Sequence, residues 1–152
     1  MRRVLAIDLG SKRIGLAISD ATGTIAQGLE TLQKQNNASD YDKIIKICRS
    51  RGVEACVVGF PLHLSGGLSE EAQRVTGWVE GLKKVLGCPV ELWDERLTSR
   101  EATRTMIRAG LSRKRQKEKC DIISATLILQ NYLEHLRFEE GKEASFGYED
   151  AV

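Results

Sequence analysis

The 152-residue sequence predicts an α/β fold built on a five-stranded mixed sheet flanked by helices. Three observations point there. The chain opens on RVLAIDL (3–9), apolar on both faces as a central strand must be. Two more strand-like runs follow it with only turn chemistry between them. From about residue 39 onward, helical and strand patterns alternate, which implies parallel strands covered by helices.

After that first strand, RIGLAIS (13–19) and TIAQGLETL (24–32) read as strands that double back, separated by Asp20-Ala-Thr-Gly23. A helix is expected to start near Ser39-Asp40, to bury Ile44, Ile45, Ile47 and Cys48, and to stop at Gly52. VEACVVGF (53–60) is a fourth strand. Ser69-Glu70-Glu71 opens the next helix with acids in its first turn, where the helix dipole favours them. Val75, Val79, Leu82 and Leu86 form its apolar stripe, and Gly87 with Pro89 ends it. VELWD (90–94) is a fifth strand. Thr98-x-x-Glu101 matches a capping box, so a helix is expected over about 99–109, with Gly110 past its end. A last helix is expected from about Lys119 to Leu136. No internal repeat or linker divides the chain. It reads as one domain over 1–137 and an acidic tail over 138–152, which is expected to be mobile.

A chain of this length can bury a full core without disulfides or structural metal. Apolar content of 41% and charged content of 29% are ordinary for a globular protein. No run approaches the ~18 apolar residues of a membrane span. Met1-Arg2-Arg3 leads directly into a strand-like segment, so a cytosolic location and no membrane partner are expected. Cys48, Cys56, Cys88 and Cys120 are widely spaced with no C-x-x-C pair, and read as reduced, packing thiols. The net charge is only +2, but its distribution is uneven. Between Arg96 and Lys119 there are nine basic residues and two acids, a local net of +7.

Three acids interrupt apolar patterns at the ends of elements. Asp8 lies near the end of the first strand, Glu95 directly follows the fifth, and Asp121 falls in the first turn of the last helix. At ~100° per residue, Asp121 shares a face with Ala125, Ile128 and Tyr132, which turns it inward. Ligands gather beyond the carboxyl ends of strands in sheets with parallel strands, where Asp8 and Glu95 are both expected. Two carboxylates ~4 Å apart repel by about 4 kcal/mol at an effective dielectric of 20. Protons or a divalent cation would relieve that, and oxygen-only donors favour Mg²⁺ or Mn²⁺ over zinc. Taken singly, Asp121 is equally an acid at a helix N-terminus and Glu95 a solvated strand-end acid. Taken together with Asp8, they point to a metal site.

AIDLGSKRIGLAISD, VVGFPLHLSGG, WDERLTS and DIISATLILQNYL, in this order, resemble the YqgF/RuvX-type pre-16S rRNA nucleases, relatives of the RuvC Holliday junction resolvases. The likeness spans about residues 3 to 136. It implies an RNase H-like fold and a metal-dependent phosphodiesterase whose acidic triad corresponds to Asp8, Glu95 and Asp121. Ser124-Ala125 stands where the family usually has paired alanines, and His63 where Asn is common. The expected mechanism is hydrolysis assisted by two metal ions, Asp8 bridging both and Glu95 and Asp121 completing one shell each. By analogy with the fold, products would carry 5′-phosphate and 3′-hydroxyl ends.

The basic stretch is expected to bind the nucleic-acid substrate. Arg100, Arg104 and Arg108 recur every four residues and line up as a guanidinium ridge on the expected helix, with Arg96 just before it. Arg113, Lys114 and Arg115 continue it, and guanidinium suits bidentate phosphate contact. The alternative is an ordinary solvated helix face. Lys12 and Arg13, after Asp8, either meet a substrate phosphate or are exposed hairpin residues. RNA is favoured as substrate by the resemblance, with branched DNA as an alternative, acting as a monomer or weak homodimer. Two rival readings are a nucleotide phosphotransferase, which would need a second domain of this fold, and a non-catalytic RNA-binding assembly factor.

Overall fold

The computed structural model describes residues 3–60, 69–94 and 113–150, the side chains of 113–119 and 140–150 excepted. The elements run β1 (Val4–Leu9), β2 (Arg13–Ser19), β3 (Ala26–Gln33), α1 (Asn37–Arg51), β4 (Ala55–Phe60), α2 (Glu70–Val85), β5 (Val90–Asp94) and α3 (Arg113–Asp150). The helix expected over 99–109 and the motif residues 61–67, with His63, lie outside the described residues.

The five strands form one sheet in the order β3-β2-β1-β4-β5. β1, β2 and β3 are an antiparallel meander, while β4 pairs parallel to both β1 and β5. This is the mixed sheet that the sequence predicts. Pleat alternation then sorts every side chain to one of two faces. Leu5, Ile7, Leu9, Ile14, Leu16, Cys56 and Val58 form one core with Ile44 and Cys48 of α1 and Val75, Trp78, Val79 and Leu82 of α2. Val4, Ala6, Ala17, Ala55 and Val57 form the other with Ala125, Ile128, Leu129, Tyr132 and Leu133 of α3. The α3 face of the sheet is thus lined with smaller side chains than its opposite face. Small residues there let a helix approach the strands closely.

Asn36 caps α1 by accepting the Ser39 N–H at 2.9 Å, which sets the start ahead of the expected Ser39-Asp40. Asp40 therefore falls inside the first turn, where it is fully buried and accepts the Gln35 N–H at 3.2 Å. Gly52 caps the other end, its N–H reaching the Cys48 carbonyl. Ser69 caps α2 through the Ala72 N–H at 3.0 Å. Trp78 is buried, and Trp93 packs edge-on to Tyr132 with ring centroids 5.5 Å apart, so both serve packing as expected.

α3 begins at Arg113, ahead of the expected Lys119, and its helical backbone continues past Leu136 through the acidic segment to Asp150. The added first turns, RKRQKEK, consist of residues with good intrinsic helix propensity, so charge density does not hinder the helix there. All four cysteines are free. Among the described residues, no helix is long and apolar enough to cross a membrane.

Candidate active site

Asp8 is the even-numbered member of β1 that follows Val4 and Ala6, so it points to the α3 side of the sheet. Its cross-strand partner in β2 is Gly15. Gly15 is where the last helix touches the sheet. A Cβ on Gly15 would overlap the backbone carbonyl of Asp121 and would lie 3.0 Å from the Asp121 Cβ. A side chain at position 15 is therefore excluded, and its absence sets Asp121 directly beside the Asp8–Gly15 pair. The inward face predicted for Asp121 is the observed one, since Ala125, Ile128 and Tyr132 below it are all buried.

Side chains from the middle of α3 fix its placement. Ile128, Leu129 and Leu133 are 0–1% exposed, each contributing roughly 1.5–3 kcal/mol by burial. Gln130 Oε1 accepts the Ala26 N–H at 3.1 Å, tying the helix to β3. The Tyr132 hydroxyl donates to Glu91 Oε2 at 3.0 Å, tying it to β5. Ser124 is buried at 2% exposure.

Arg13, the first residue of β2, shares the α3 face with Gly15 and Ala17. Its Nε donates to Asp121 Oδ2 at 2.9 Å, and the two side chains are 23% and 22% exposed. The sequence marked Arg13 as a phosphate contact or an exposed hairpin residue. In the structure it is half-buried and ion-paired to an acid from the other end of the chain. Lys12 is exposed beside it.

The turn that joins β1 to β2 is held on several sides. The Gly10 N–H donates to the Arg13 carbonyl at 2.8 Å, and the Lys34 N–H to the Lys12 carbonyl at 2.9 Å. Arg74, from the first turns of α2, donates Nη1–H to the Gly10 carbonyl at 3.2 Å. Sequence reading missed Arg74, because its side chain crosses to β1 through tertiary contact and leaves no periodic signal. Burial, with the nearby Arg74 charge, pushes the Lys34 ammonium below its usual pKa.

Of the expected triad, Asp121 is thus set against Gly15, the cross-strand partner of Asp8, over the central strands of the sheet. Glu95 lies outside the described residues, as do Arg96, Arg100, Arg104 and Arg108, and the side chains of Arg113, Lys114 and Arg115. Among the described residues, no group of three or more His, Cys, Asp or Glu is arranged to hold a metal ion. The two acids present fit a hard divalent cation in donor type, being carboxylates only. The missing Cβ of Gly15 sets Asp121 against the β2 position that pairs with Asp8.

A mixed sheet in this order, with helices on both faces, is the RNase H-like fold of RuvC. Among solved structures, RuvC of Thermus thermophilus bound to a Holliday junction substrate matches with a TM-score of 0.57 and 17% identity, over 90% of this chain and 96% of its own. The fowlpox virus resolvase bound to junction DNA matches with a TM-score of 0.53 and 12% identity, over 88% and 98%. At those identities the likeness is one of fold. Sequence narrows it further. The family model described as "RuvX: Holliday junction resolvase" matches residues 2–135, and the chain belongs to that family of nucleases. A protein of Thermoanaerobacter pseudethanolicus named "Putative pre-16S rRNA nuclease" is 45% identical over 133 residues, 87% of this chain and 96% of its own length. One of the same name from Clostridium acetobutylicum is 40% identical over 131 residues, 86% and 97%.

Proposed function

We propose that this nuclease cleaves phosphodiester bonds of RNA, with the 5′ region of precursor 16S rRNA as its substrate, at a divalent-metal site held by Asp8, Asp121 and Glu95. The observation that carries the reading is the contact of Asp121 with Gly15, directly across from Asp8. It links two acids that are more than a hundred residues apart in the chain. Glu95 follows β5 immediately, two residues after Trp93, whose ring already packs on the α3 side.

Mg²⁺ or Mn²⁺ bound there would supply an activated water and charge stabilisation for the leaving oxygen. The chain's own residues set the stage for that chemistry. Asp8 is fixed by its β1 ladder, and Asp121 by the packing of α3. Asp8 thus offers its oxygens from a rigid strand and Asp121 from a rigid helix, which keeps the donors preorganised. Lys12, Arg13 and the stretch from Arg96 to Arg115 supply positive charge for the substrate backbone, which steers and holds a polyanion. Cytoplasmic action follows from an rRNA substrate.

A cleavage panel tests this: precursor 16S rRNA, an unrelated RNA and four-way junction DNA, each with Mn²⁺, Mg²⁺ or chelator. The expected result is metal-dependent cleavage of the precursor, lost in Asp8→Asn with an unchanged circular dichroism spectrum and melting temperature. Cleavage of junction DNA alone would overturn the RNA assignment. A folded Asp8→Asn protein with full activity would overturn the site. Binding of precursor RNA without turnover under every metal condition would favour the assembly-factor reading.

A further inference from the structure

Asp121 is in one ion pair that the proposed chemistry does not require. Arg13 Nε sits 2.9 Å from Asp121 Oδ2, both side chains about one-fifth exposed. The guanidinium thereby occupies one oxygen of a carboxylate that the metal-site reading assigns to a cation. Its backbone does not depend on that contact. The Gly10–Arg13 turn is held by the Gly10 N–H to Arg13 carbonyl bond, by the Lys34 N–H on the Lys12 carbonyl, and by Arg74 on the Gly10 carbonyl. The ladder from Arg13↔Gln33 onward pins the strand itself. The side chain can therefore leave Asp121 with no change in the fold.

We infer that Arg13 is a counter-ion switch: it neutralises Asp121 while the site holds no metal, and it is displaced towards a substrate phosphate when a divalent cation takes that carboxylate. The inference rests on the metal-site reading above. Three physical points carry it. A guanidinium and a divalent cation repel each other at contact distance, so both cannot be held at Oδ2 without loss. Arg13 has no other carboxylate within ion-pair distance among the described residues, so a displaced guanidinium gains by meeting an anion. Its planar fork of donors matches a phosphate. Arg13, the first residue of β2, also lies at the same end of the β1–β2 pair as Asp8, the next-to-last residue of β1, so a phosphate near the acids is within its reach.

The inference has an unusual signature. Metal affinity and substrate affinity must respond to Arg13 in opposite directions. In the free protein Arg13 competes with the cation, whereas in the complex it assists the nucleic acid. The two ligands are then coupled, each raising the other's affinity by the same factor.

The test is Mn²⁺ binding by calorimetry to the full chain without nucleic acid, for wild type, Arg13→Gln and Arg13→Lys. RNA binding is then followed in parallel by fluorescence anisotropy in Ca²⁺. The expected result for Arg13→Gln is Mn²⁺ binding tighter by roughly fivefold or more and RNA binding weaker by a similar factor. Arg13→Lys, which keeps the charge but lacks the Nε contact, should fall between the two in both measurements. If Arg13 were only a brace for Asp121, Arg13→Gln would bind Mn²⁺ more weakly or equally, and either outcome overturns the switch. Should Arg13→Gln fail to fold, Arg13→Lys decides: Mn²⁺ affinity at or below wild type contradicts the inference. A wild-type protein that binds no Mn²⁺ overturns the metal site and the switch together. A wild type that binds Mn²⁺ with no gain in the variants overturns the switch alone.

Discussion

Asp8 stands out in the sequence because ionised groups are rare within apolar strands, and its position on the α3 face follows from pleat alternation alone. Asp121 was legible by the same reasoning applied to a helix. The ion pair that Asp121 makes with Arg13 was not, because nothing in linear spacing links residues so distant. The thiols show the same limit. Cys48 and Cys56 look independent in sequence, yet their sulfurs lie 3.8 Å apart in the core, against which Cys88 also packs. Their contact lowers the Cys48 pKa, while the Cys48 contact and burial raise that of Cys56. Asp20 illustrates a turn acid whose chemistry can be tested directly. The Thr22 hydroxyl, with the Ile25 and Thr24 N–H groups, pulls its pKa down to about 2. A carboxylate depressed in the folded state stabilises the turn fully above its unfolded pKa, and that contribution fades as pH falls towards the folded value. An NMR titration should therefore show an Asp20 midpoint near 2, with loosening of the β2–β3 turn between about pH 4 and pH 2. Asp20→Asn should lose the pH dependence of that turn.

At the scale of elements, strands and caps were readable because they rest on local rules: period-two alternation, Ser69 before Glu70-Glu71, and Gly52 past Arg51. Element limits were less so. The start of α1 is fixed by the Asn36 cap, whose preference competes with that of Ser39 and Asp40 nearby. The start of α3 is set by strong helix formers within a stretch whose charge suggested a loop, whereas its continuation through the acidic segment, which holds Gly141 and Gly147, has no such local signal. The close approach of α3 to β2 depends on one missing side chain, and substitution there discriminates sharply. Gly15→Ala forces the backbones apart, so it should cost roughly 1–3 kcal/mol in chemical denaturation. Displacing Asp121 by about an ångström should also reduce cleavage by roughly a hundredfold. Gly77 in α2 is the contrasting case, since a Cβ there meets nothing within 4 Å. Gly77→Ala should stabilise the protein by about 0.5–1 kcal/mol, through helix propensity, with cleavage unchanged. Equal effects at the two glycines would show that the α3 contact is not what matters at position 15.

For the whole molecule, the sheet order carries the functional logic. Placing β1 between β2 and β4 puts Asp8 in the middle of the sheet, and α3 packs across that face. Meander followed by alternation was enough to predict a mixed sheet covered by helices but not its strand order, while the triad's third acid and the guanidinium ridge rest on sequence and resemblance. The ridge makes a quantitative claim on the complex. If Arg104 contacts a phosphate, Arg104→Gln should lower the slope of log affinity against log salt by roughly 0.7–0.9, with Mn²⁺ affinity unaltered. An unchanged slope would return the ridge to the status of a solvated face. The central claim is that Asp8 and Asp121 share a cation, and a crystal of the protein soaked in Mn²⁺ with anomalous data tests it most directly. The account predicts an anomalous peak with oxygens of both carboxylates at about 2.0–2.2 Å and Arg13 turned away from Asp121. Manganese bound only elsewhere, with the Arg13–Asp121 pair intact, would contradict it.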